Sequence, residues 1–175
     1  MSADMTTLIV DAARLLIFPA LMAFAASSDL FTMTISNRIS LILGAGFVAL
    51  ALAIGMPMAE ILDHLGAGGL VLVITFGFFV LGWVGGGDAK LAASTALWLG
   101  WGHLLDYVLY ASLLGGALTL ALIQFRHLAM PSRLIGKVWA ERLHQPGGGV
   151  PYGIALAAAA LLVYPSTIWM QPFGQ

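Results

Sequence analysis

Residues 83–91, WVGGGDAKL, hold three glycines, an aspartate and a lysine between two long apolar runs. The apolar run before them is GLVLVITFGFFVLG, residues 69–82, and the apolar run after them is LAASTALWLG, residues 91–100. Leu91 belongs both to the quoted stretch and to the second run. Apolar runs broken by glycine and by charged residues are typical of membrane helices joined by a short turn. The stretch therefore predicts such a turn, and it places an aspartate where the second helix begins.

The composition of the whole chain agrees with a membrane location. Its 175 residues are 61% hydrophobic and 9% charged, with a mean hydropathy of +0.98, whereas about 25% of the residues of a soluble domain are charged. The net charge of −1 gives no basic surface for nucleic acid. Because the sequence has no cysteine, it excludes disulfides, thiolate metal sites and cysteine nucleophiles. We expect an all-α, polytopic membrane helix bundle in which residues 1–175 form a single domain.

Apolar runs of roughly 20 residues mark the expected membrane spans. The division between the fourth and fifth spans rests on GWGHLLDY, residues 100–107, where glycine, histidine and aspartate interrupt the apolar run. The first run lacks a basic region and a small-residue cleavage site, so we do not interpret it as a signal peptide. The sequence predicts six spans, over residues 8–26, 39–54 (extendable to 58), 66–84, 88–101, 104–125 and 150–170.

Basic residues are concentrated on one side of this predicted topology. Six of the seven lysines and arginines lie in the loops after the first, third and fifth spans, and none lies on the opposite face. Loops rich in lysine and arginine face the cytoplasm. We therefore expect these loops in the cytoplasm and both termini outside. The seventh base, Arg14, is expected to pair with Asp11 on the surface of the first helix. The six loop residues are Arg38, Lys90, Arg126, Arg133, Lys137 and Arg142, and the acids opposite are Asp4, Glu60, Asp63 and Asp106.

Asp29 and Asp88 are the acids on the cytoplasmic side apart from Glu141. Asp29 lies in SSDLFTMTISNR, the predicted turn between the first two spans, and Asp88 follows the three glycines. Carboxylates on different helices at one depth can converge and share a proton, so that one activates water and the other protonates a leaving group. Glycines would let a substrate backbone approach closely. Two alternatives are open at this point: an ion pathway, and a structural turn or helix cap.

Three segments together resemble the type IV prepilin peptidases, a family of GxGD intramembrane aspartic proteases. GGGDAKL, residues 85–91, is similar to their GxGD motif followed by lysine. SDLFTMTISNRIS, residues 28–40, looks like their first catalytic segment, and VPYG, residues 150–153, is similar to the segment that opens their last core helix. The segments occur in the family's order and on one predicted face, and the resemblance covers essentially the whole chain.

The resemblance implies that Asp29 and Asp88 are the catalytic aspartates, and that Gly85 and Gly87 are the motif glycines, with Gly86 between them. It implies an endopeptidase of the bacterial inner membrane that removes the short basic leader preceding the hydrophobic helix of a prepilin, without a cofactor. Long members of the family carry a methyltransferase region with a four-cysteine metal site. Since this sequence has neither, it looks like the short forms associated with Flp-type pilins, and we expect peptidase activity without N-methylation.

Asn37 and Lys90 lie beside the two acids in the sequence. We expect both near the path by which a substrate approaches, although Lys90 is equally suited to orienting the headgroup of a membrane lipid. Ser36 is a departure from the family, which often has proline before the asparagine of this turn. The conformation of the turn is therefore expected to differ from that of the relatives.

The remaining polar features of the sequence predict less. Four histidines lack ligand spacing, so we expect no metal site. Residues 131–145, PSRLIGKVWAERLHQ, predict a helix in the cytoplasmic interface, which either anchors the protein or gates the site. The rival function is a small ion-coupled transporter or channel that uses the same two aspartates, but the internal repeats common in such proteins are not evident. The histidines are His64, His103, His127 and His144.

Overall fold

The computed structural model of the protein describes residues 3–170, in which every regular element is helical. The side chain of Asp4 lies outside the described part of the chain. Two 3₁₀ turns follow α6, and a third precedes α5. The α-helices are α1 (Ala3–Thr32), α2 (Asn37–Ala53), α3 (Met58–Val80), α4 (Gly86–His127), α5 (Val138–His144) and α6 (Tyr152–Val163).

Three helices are long and apolar enough to cross a membrane. They are Thr7–Thr32 of α1, Met58–Val80 and Gly86–His127, while Asn37–Ala53 and Tyr152–Ser166 are shorter apolar segments. Many large apolar side chains point away from the bundle, as is expected of surfaces in contact with lipid tails. Among the most exposed are Leu41, Val73, Leu105 and Leu120, each at least 70% exposed.

Gly100 divides α4 into two arms that lie side by side. A continuous helix of 42 residues would be about 63 Å long, twice the thickness of the hydrocarbon core of a bilayer. Gly100 instead adopts φ 67° and ψ −177°, which is a region open essentially only to glycine. The chain reverses direction at this residue. The position of Tyr107 shows the reversal, since this residue lies near Thr95 and within electrostatic range of Asp88, both of which precede Gly100. The predicted break between the fourth and fifth spans is therefore present, and a single residue makes it. We call residues 86–99 the first arm and residues 101–127 the second arm.

Aromatic side chains fill the centre of the bundle. Trp98 and Phe18 are fully buried with ring centroids 5.2 Å apart, and Trp169 lies 4.9 Å from Trp98. The indole N–H of Trp98 donates to the carbonyl of Leu43, and that of Trp169 donates to the carbonyl of Trp98. Large aromatic rings dominate the energetics of a core when their polar atoms are satisfied in this way. The cluster therefore fixes α1, α2, the first arm of α4 and the 3₁₀ turn Ile168–Met170 relative to one another.

The ends of several helices differ from the predicted spans. Helix α1 continues to Thr32, so Asp29 lies on its last turn and not in the following loop. The hydroxyl of Ser27 donates to the carbonyl of Ala23 at 2.8 Å, which satisfies this serine inside the helix. Helix α3 begins eight residues before the predicted span, directly after Pro57, and ends four residues early. The i,i+3 pair of Arg14 and Asp11 is confirmed at 3.0 Å.

The predicted helix over residues 131–145 is wrong in extent. A 3₁₀ turn at Ser132–Leu134 and the seven-residue α5 replace it, because Gly136 between them adopts φ 82°. Helix α5 packs on the end of α1, where the ring of Trp139 meets that of Phe31 edge-on at 6.0 Å. The guanidinium of Arg142 also donates to the carbonyl of Phe31 at 3.2 Å. This segment therefore lies against the bundle at the end where Asp29 is found.

Candidate active site

Asp29 is held where the end of α1 meets the start of α6. Its side chain is buried, and its Oδ2 atom accepts a hydrogen bond of 2.7 Å from the backbone N–H of Gly153. The first N–H groups of a helix have no partner within the helix and bind anionic groups readily. Gly153 lies in the first turn of α6, so one of these free donors fixes the carboxyl group of Asp29.

Asp88 lies in the first turn of α4, three residues after the N-cap Gly85. Its carboxyl group accepts a hydrogen bond from the backbone N–H of Gly85, which is the acidic half of a capping box. A Cβ atom at position 85 would lie 2.8 Å from Oδ2 of Asp88. Gly85 has φ −68°, so space beside the carboxyl group, and not an unusual backbone dihedral, requires glycine here.

The left-handed conformation in this turn belongs to a different glycine. Gly82 has φ 75°, and its N–H and that of Trp83 bond to the carbonyls of Phe79 and Phe78. This is the Schellman arrangement that ends many helices. It terminates α3 and directs the chain into Gly85–Gly87. The glycine-rich turn thus contains one residue that stops a helix and three that make room at the start of the next.

The structure brings Asp29 and Asp88 together, and their carboxyl groups are close enough to interact electrostatically. Ile35 holds the helix ends around them. A Cβ atom at Gly87 would lie 3.1 Å from Cβ of Ile35, and one at Gly153 would lie 2.7 Å from its Cδ1. The isoleucine therefore fits between the first turns of α4 and α6. Two glycines without side chains allow the three segments to meet beside the acids.

Asn37 and Lys90 form a contact of their own. The Nζ atom of Lys90 donates to Oδ1 of Asn37 at 2.8 Å, which ties the start of α2 to the first arm of α4. Both residues line a groove of about 560 Å³ between α2, α3 and the first arm, and neither aspartate lines it. Ser36 caps α2 by accepting the N–H of Arg38 at 3.3 Å. The serine at this position therefore supplies a helix cap.

A second groove reaches Asp88. It has a volume of about 520 Å³ and lies between α3, the two arms of α4 and α6. Among the described residues that line it, Asp88 is the one with a formal charge, and most of the others are aliphatic or aromatic. An apolar cleft with few polar groups is the usual form of a binding site. Its polar lining residues are Thr75, Asp88, Tyr107, Ser112 and Tyr152.

Three residues of this region were not among the predicted site residues. Gly153 belongs to the VPYG segment and Ile35 to the turn after Asp29, but neither motif indicated that the two residues would touch. Tyr107 was part of the interruption between two spans, and it is in fact buried, close enough to Asp88 to interact with it electrostatically. A tyrosine in the middle of an apolar run was the available signal for it.

The opposite end of the bundle holds a smaller cleft of about 220 Å³. Glu60, Asp63, His64 and His103 line it, together with Gly100. His64 is buried and its Nδ1 atom lies 2.8 Å from the carbonyl oxygen of Leu97, so it packs as a core residue. Within residues 3–170 no three histidine, aspartate or glutamate side chains are grouped so as to hold a metal ion.

The comparison with known families agrees with this arrangement. Residues 16–120 match the profile described as the type IV leader peptidase family, and this range includes both aspartates and the whole hairpin turn of α4. No curated protein and no solved structure is significantly similar to the chain. The match covers more than half of the sequence and, with the long apolar helices, indicates a membrane protein. The chain belongs to the type IV leader peptidase family.

Proposed function

We propose that the protein is an intramembrane aspartic endopeptidase that removes the short basic leader from prepilin-type substrates at the cytoplasmic face of the bacterial inner membrane. The observation that carries the proposal is the meeting of Asp29 and Asp88, from α1 and α4, at one end of an apolar bundle. An aspartic protease needs two carboxyl groups close enough to influence each other's ionisation, and here an apolar groove reaches one of the two, Asp88.

The two acids would divide the chemistry between them. Because like charges held close oppose double ionisation, the pair is expected to carry one proton. The ionised carboxylate takes a proton from water, and the water oxygen bonds to the scissile carbonyl carbon. The protonated carboxyl group then donates its proton to the leaving nitrogen as the C–N bond breaks. One carboxyl group gains the proton that water loses, and the other loses the proton that the leaving nitrogen gains. Water and the two carboxyl groups therefore account for every proton, so the reaction requires no cofactor.

Charge at the acid end of the bundle supports the cytoplasmic placement. Lys90 lies at the start of α4, and Arg126 donates to the carbonyls of Leu143 and Gly149, next to the segment that leads into Gly153. Basic residues therefore surround the end of the bundle that carries the aspartates. By the positive-inside rule this end faces the cytoplasm, where the leader of a prepilin would be presented.

The length of the first arm of α4 supports an active site slightly below the membrane surface. Its 14 residues from 86 to 99 span about 21 Å, compared with about 30 Å for the hydrocarbon core. If Gly100 lies near the outer boundary, Asp88 lies several ångströms inside the cytoplasmic one. A substrate with a hydrophobic helix would then place the junction between helix and leader at the depth of the acids.

The alternative function, an ion-coupled transporter or channel, has less support. Transporter sites lie near the middle of the membrane between repeated units. Here both acids lie at the ends of helices, and the central region is closed by buried aromatic rings of Phe18, Phe47, Trp98 and Trp169. The family match is to peptidases, which also favours the protease.

A reconstitution with purified components tests the proposal. The protein in detergent is incubated with candidate prepilins, and the new N-terminus is read by mass spectrometry. A single cleavage between the basic leader and the hydrophobic helix is expected. It should be absent when Asp29→Asn replaces the wild type. Intact prepilins after incubation with folded wild-type protein, or equal cleavage by that variant, would contradict the proposal.

A further inference from the structure

The hydroxyl group of Tyr107 is buried without a well-formed hydrogen bond. The side chain is 2% exposed, and its oxygen approaches the hydroxyl of Thr95 but makes no hydrogen bond of good geometry. The hydroxyl of Thr95 itself is directed to the sulfur of Met22 at 3.7 Å. Buried polar atoms are nearly always hydrogen-bonded, because leaving one unsatisfied costs free energy. The exception at Tyr107 therefore calls for an explanation.

Two other tyrosines, one buried and one exposed, have hydrogen-bonded hydroxyl groups. The hydroxyl of Tyr164 donates to the backbone carbonyl of Arg14, and that of Tyr152 lies 3.1 Å from the hydroxyl of Thr119. Tyr164 is as fully buried as Tyr107, and its hydroxyl group is nevertheless hydrogen-bonded. Packing alone therefore does not account for a tyrosine at position 107, since phenylalanine would fill the same space without an unsatisfied oxygen.

The location of Tyr107 is the second observation. The reversal at Gly100 brings it from the second arm of α4 to the side of Asp88 on the first arm, close enough for an electrostatic interaction. Both side chains line the same groove of about 520 Å³. The side chain of Tyr107 thus lines the space that a substrate must enter in order to reach Asp88, and its hydroxyl group is buried in the wall of that space beside Thr95.

We propose that the Tyr107 hydroxyl donates a hydrogen bond to the oxygen of the scissile carbonyl of the substrate. This inference rests on the proposed peptidase function. As water adds to the carbonyl carbon, the π electron pair moves to that oxygen, which gains negative charge. The phenol keeps its proton and stabilises this charge through the hydrogen bond. Donors placed in advance around a developing oxyanion commonly supply 10²–10³-fold of the rate.

Substitution by phenylalanine removes the proposed donor and leaves the ring in place. For Tyr107→Phe we expect kcat for prepilin cleavage to fall by about 10²-fold, with KM within about twofold of the wild type because the interaction forms in the transition state. The thermal unfolding temperature should stay the same or rise, since an unsatisfied buried oxygen is removed. The measurements are cleavage kinetics over a range of prepilin concentrations and unfolding of the same preparations in detergent.

Tyr164→Phe is the matched control. It removes a buried hydroxyl that is hydrogen-bonded and lies away from the acids. Its unfolding temperature should fall, because the carbonyl of Arg14 loses a donor, while kcat should be unchanged. The two variants therefore separate a role in the reaction from a role in folding. Tyr107→Phe is expected to lower kcat without lowering the unfolding temperature, and Tyr164→Phe is expected to lower the unfolding temperature without changing kcat.

Each other result has a definite meaning. Wild-type kcat in Tyr107→Phe would overturn the inference and leave the peptidase function standing. A raised KM with unchanged kcat would also overturn it, because the hydroxyl would then bind the ground state. A fall in kcat together with a lower unfolding temperature would assign Tyr107 a structural role instead. If the wild-type protein cleaves no prepilin, the proposed function fails, and this inference fails with it.

Discussion

Gly153 donates its backbone N–H to Oδ2 of Asp29 at 2.7 Å, across 124 residues of sequence. The bond joins the first turn of α6 to the last turn of α1, and it fixes one of the two acids without using a side chain. The family match ends at residue 120, so the donor lies beyond the matched range. The region after residue 120 therefore contributes directly to the geometry of the candidate site.

The first prediction concerns this contact. In Gly153→Ala, the new methyl group would lie 2.8 Å from Oδ2 of Asp29 and 2.7 Å from Cδ1 of Ile35. The carboxyl group must move, and a displacement of about 1 Å can cost 10²-fold in rate. We expect cleavage of prepilin to slow by about that factor. Gly116→Ala is the control, because a Cβ atom there has no neighbour within 4 Å. Equal activity of the two variants would show that the contact does not position Asp29.

The second prediction separates the acids by role. Asp29→Asn and Asp88→Asn should each lower the cleavage rate by about 10²–10⁴-fold or more, while folded protein stays in the membrane. Asp63→Asn should retain most of its activity, because this residue lines the cleft at the opposite end. Asp106→Asn should also do so, because its side chain is exposed. Cleavage assays on all four purified variants provide the check. An inactive Asp63→Asn together with an active Asp29→Asn would show that the assignment of Asp29 and Asp88 as the catalytic pair is wrong.

Local signals in the sequence were sufficient for the helices but not for all of their ends. The break at Gly100 was predictable because glycine, a second glycine and polar residues interrupt an apolar run. The end of α1 was not, because Ser27, Ser28 and Asp29 usually favour turns. In the structure Ser27 bonds to the carbonyl of Ala23 within the helix, and the hydrogen bond from the N–H of Gly153 compensates for the low helix propensity of Asp29. Tertiary contacts decided where this helix ends.

The convergence of Asp29 and Asp88 was predictable from motifs, but the contacts that hold the site were not. Ile35 fits between Gly87 and Gly153, which belong to segments far apart in the chain. Nothing local distinguishes this isoleucine from others in an apolar sequence. The position of Tyr107 depends on the direction that α4 takes after Gly100, which a one-dimensional pattern does not contain. Long-range packing therefore accounts for what sequence reasoning missed.

The third prediction tests whether Lys90 and Asn37 act as a unit. Their hydrogen bond of 2.8 Å ties α4 to α2, on the side of the first arm away from the groove at Asp88. Lys90→Met and Asn37→Ala should each lower kcat/KM by about two- to fivefold, equivalent to about 0.5–1 kcal/mol for one hydrogen bond. The double variant should lose no more than either single variant. Fully additive losses would indicate two independent contacts with substrate or lipid.

The fourth prediction concerns the orientation in the membrane. Since the sequence has no cysteine, each introduced cysteine is a unique probe. Cysteine at Ser36 or Ser132, both exposed near the acid end, should react only with reagents that have access to the cytoplasm. Cysteine at Met58, exposed at the start of α3, should react from outside in intact cells. Labelling of position 36 from outside would invert the orientation and place the aspartates on the other face.

The fifth prediction concerns the reversal at Gly100, on which the meeting of Tyr107 and Asp88 depends. With φ 67° and a Cβ position 3.0 Å from Cε1 of His64, alanine here is both strained and crowded. We expect Gly100→Ala to destabilise the protein by about 1–3 kcal/mol. It should also slow cleavage, because the second arm must shift relative to the first.

Gly102→Ala is the matched control for this variant, since a Cβ atom at position 102 meets nothing within 4 Å. Thermal unfolding and cleavage kinetics of both proteins in the same detergent measure the two effects. A normal unfolding temperature for Gly100→Ala would mean that α4 reverses without the left-handed residue. Reduced stability with full activity would mean that the relative position of the two arms is not required for catalysis, and it would count against a role for Tyr107 as well.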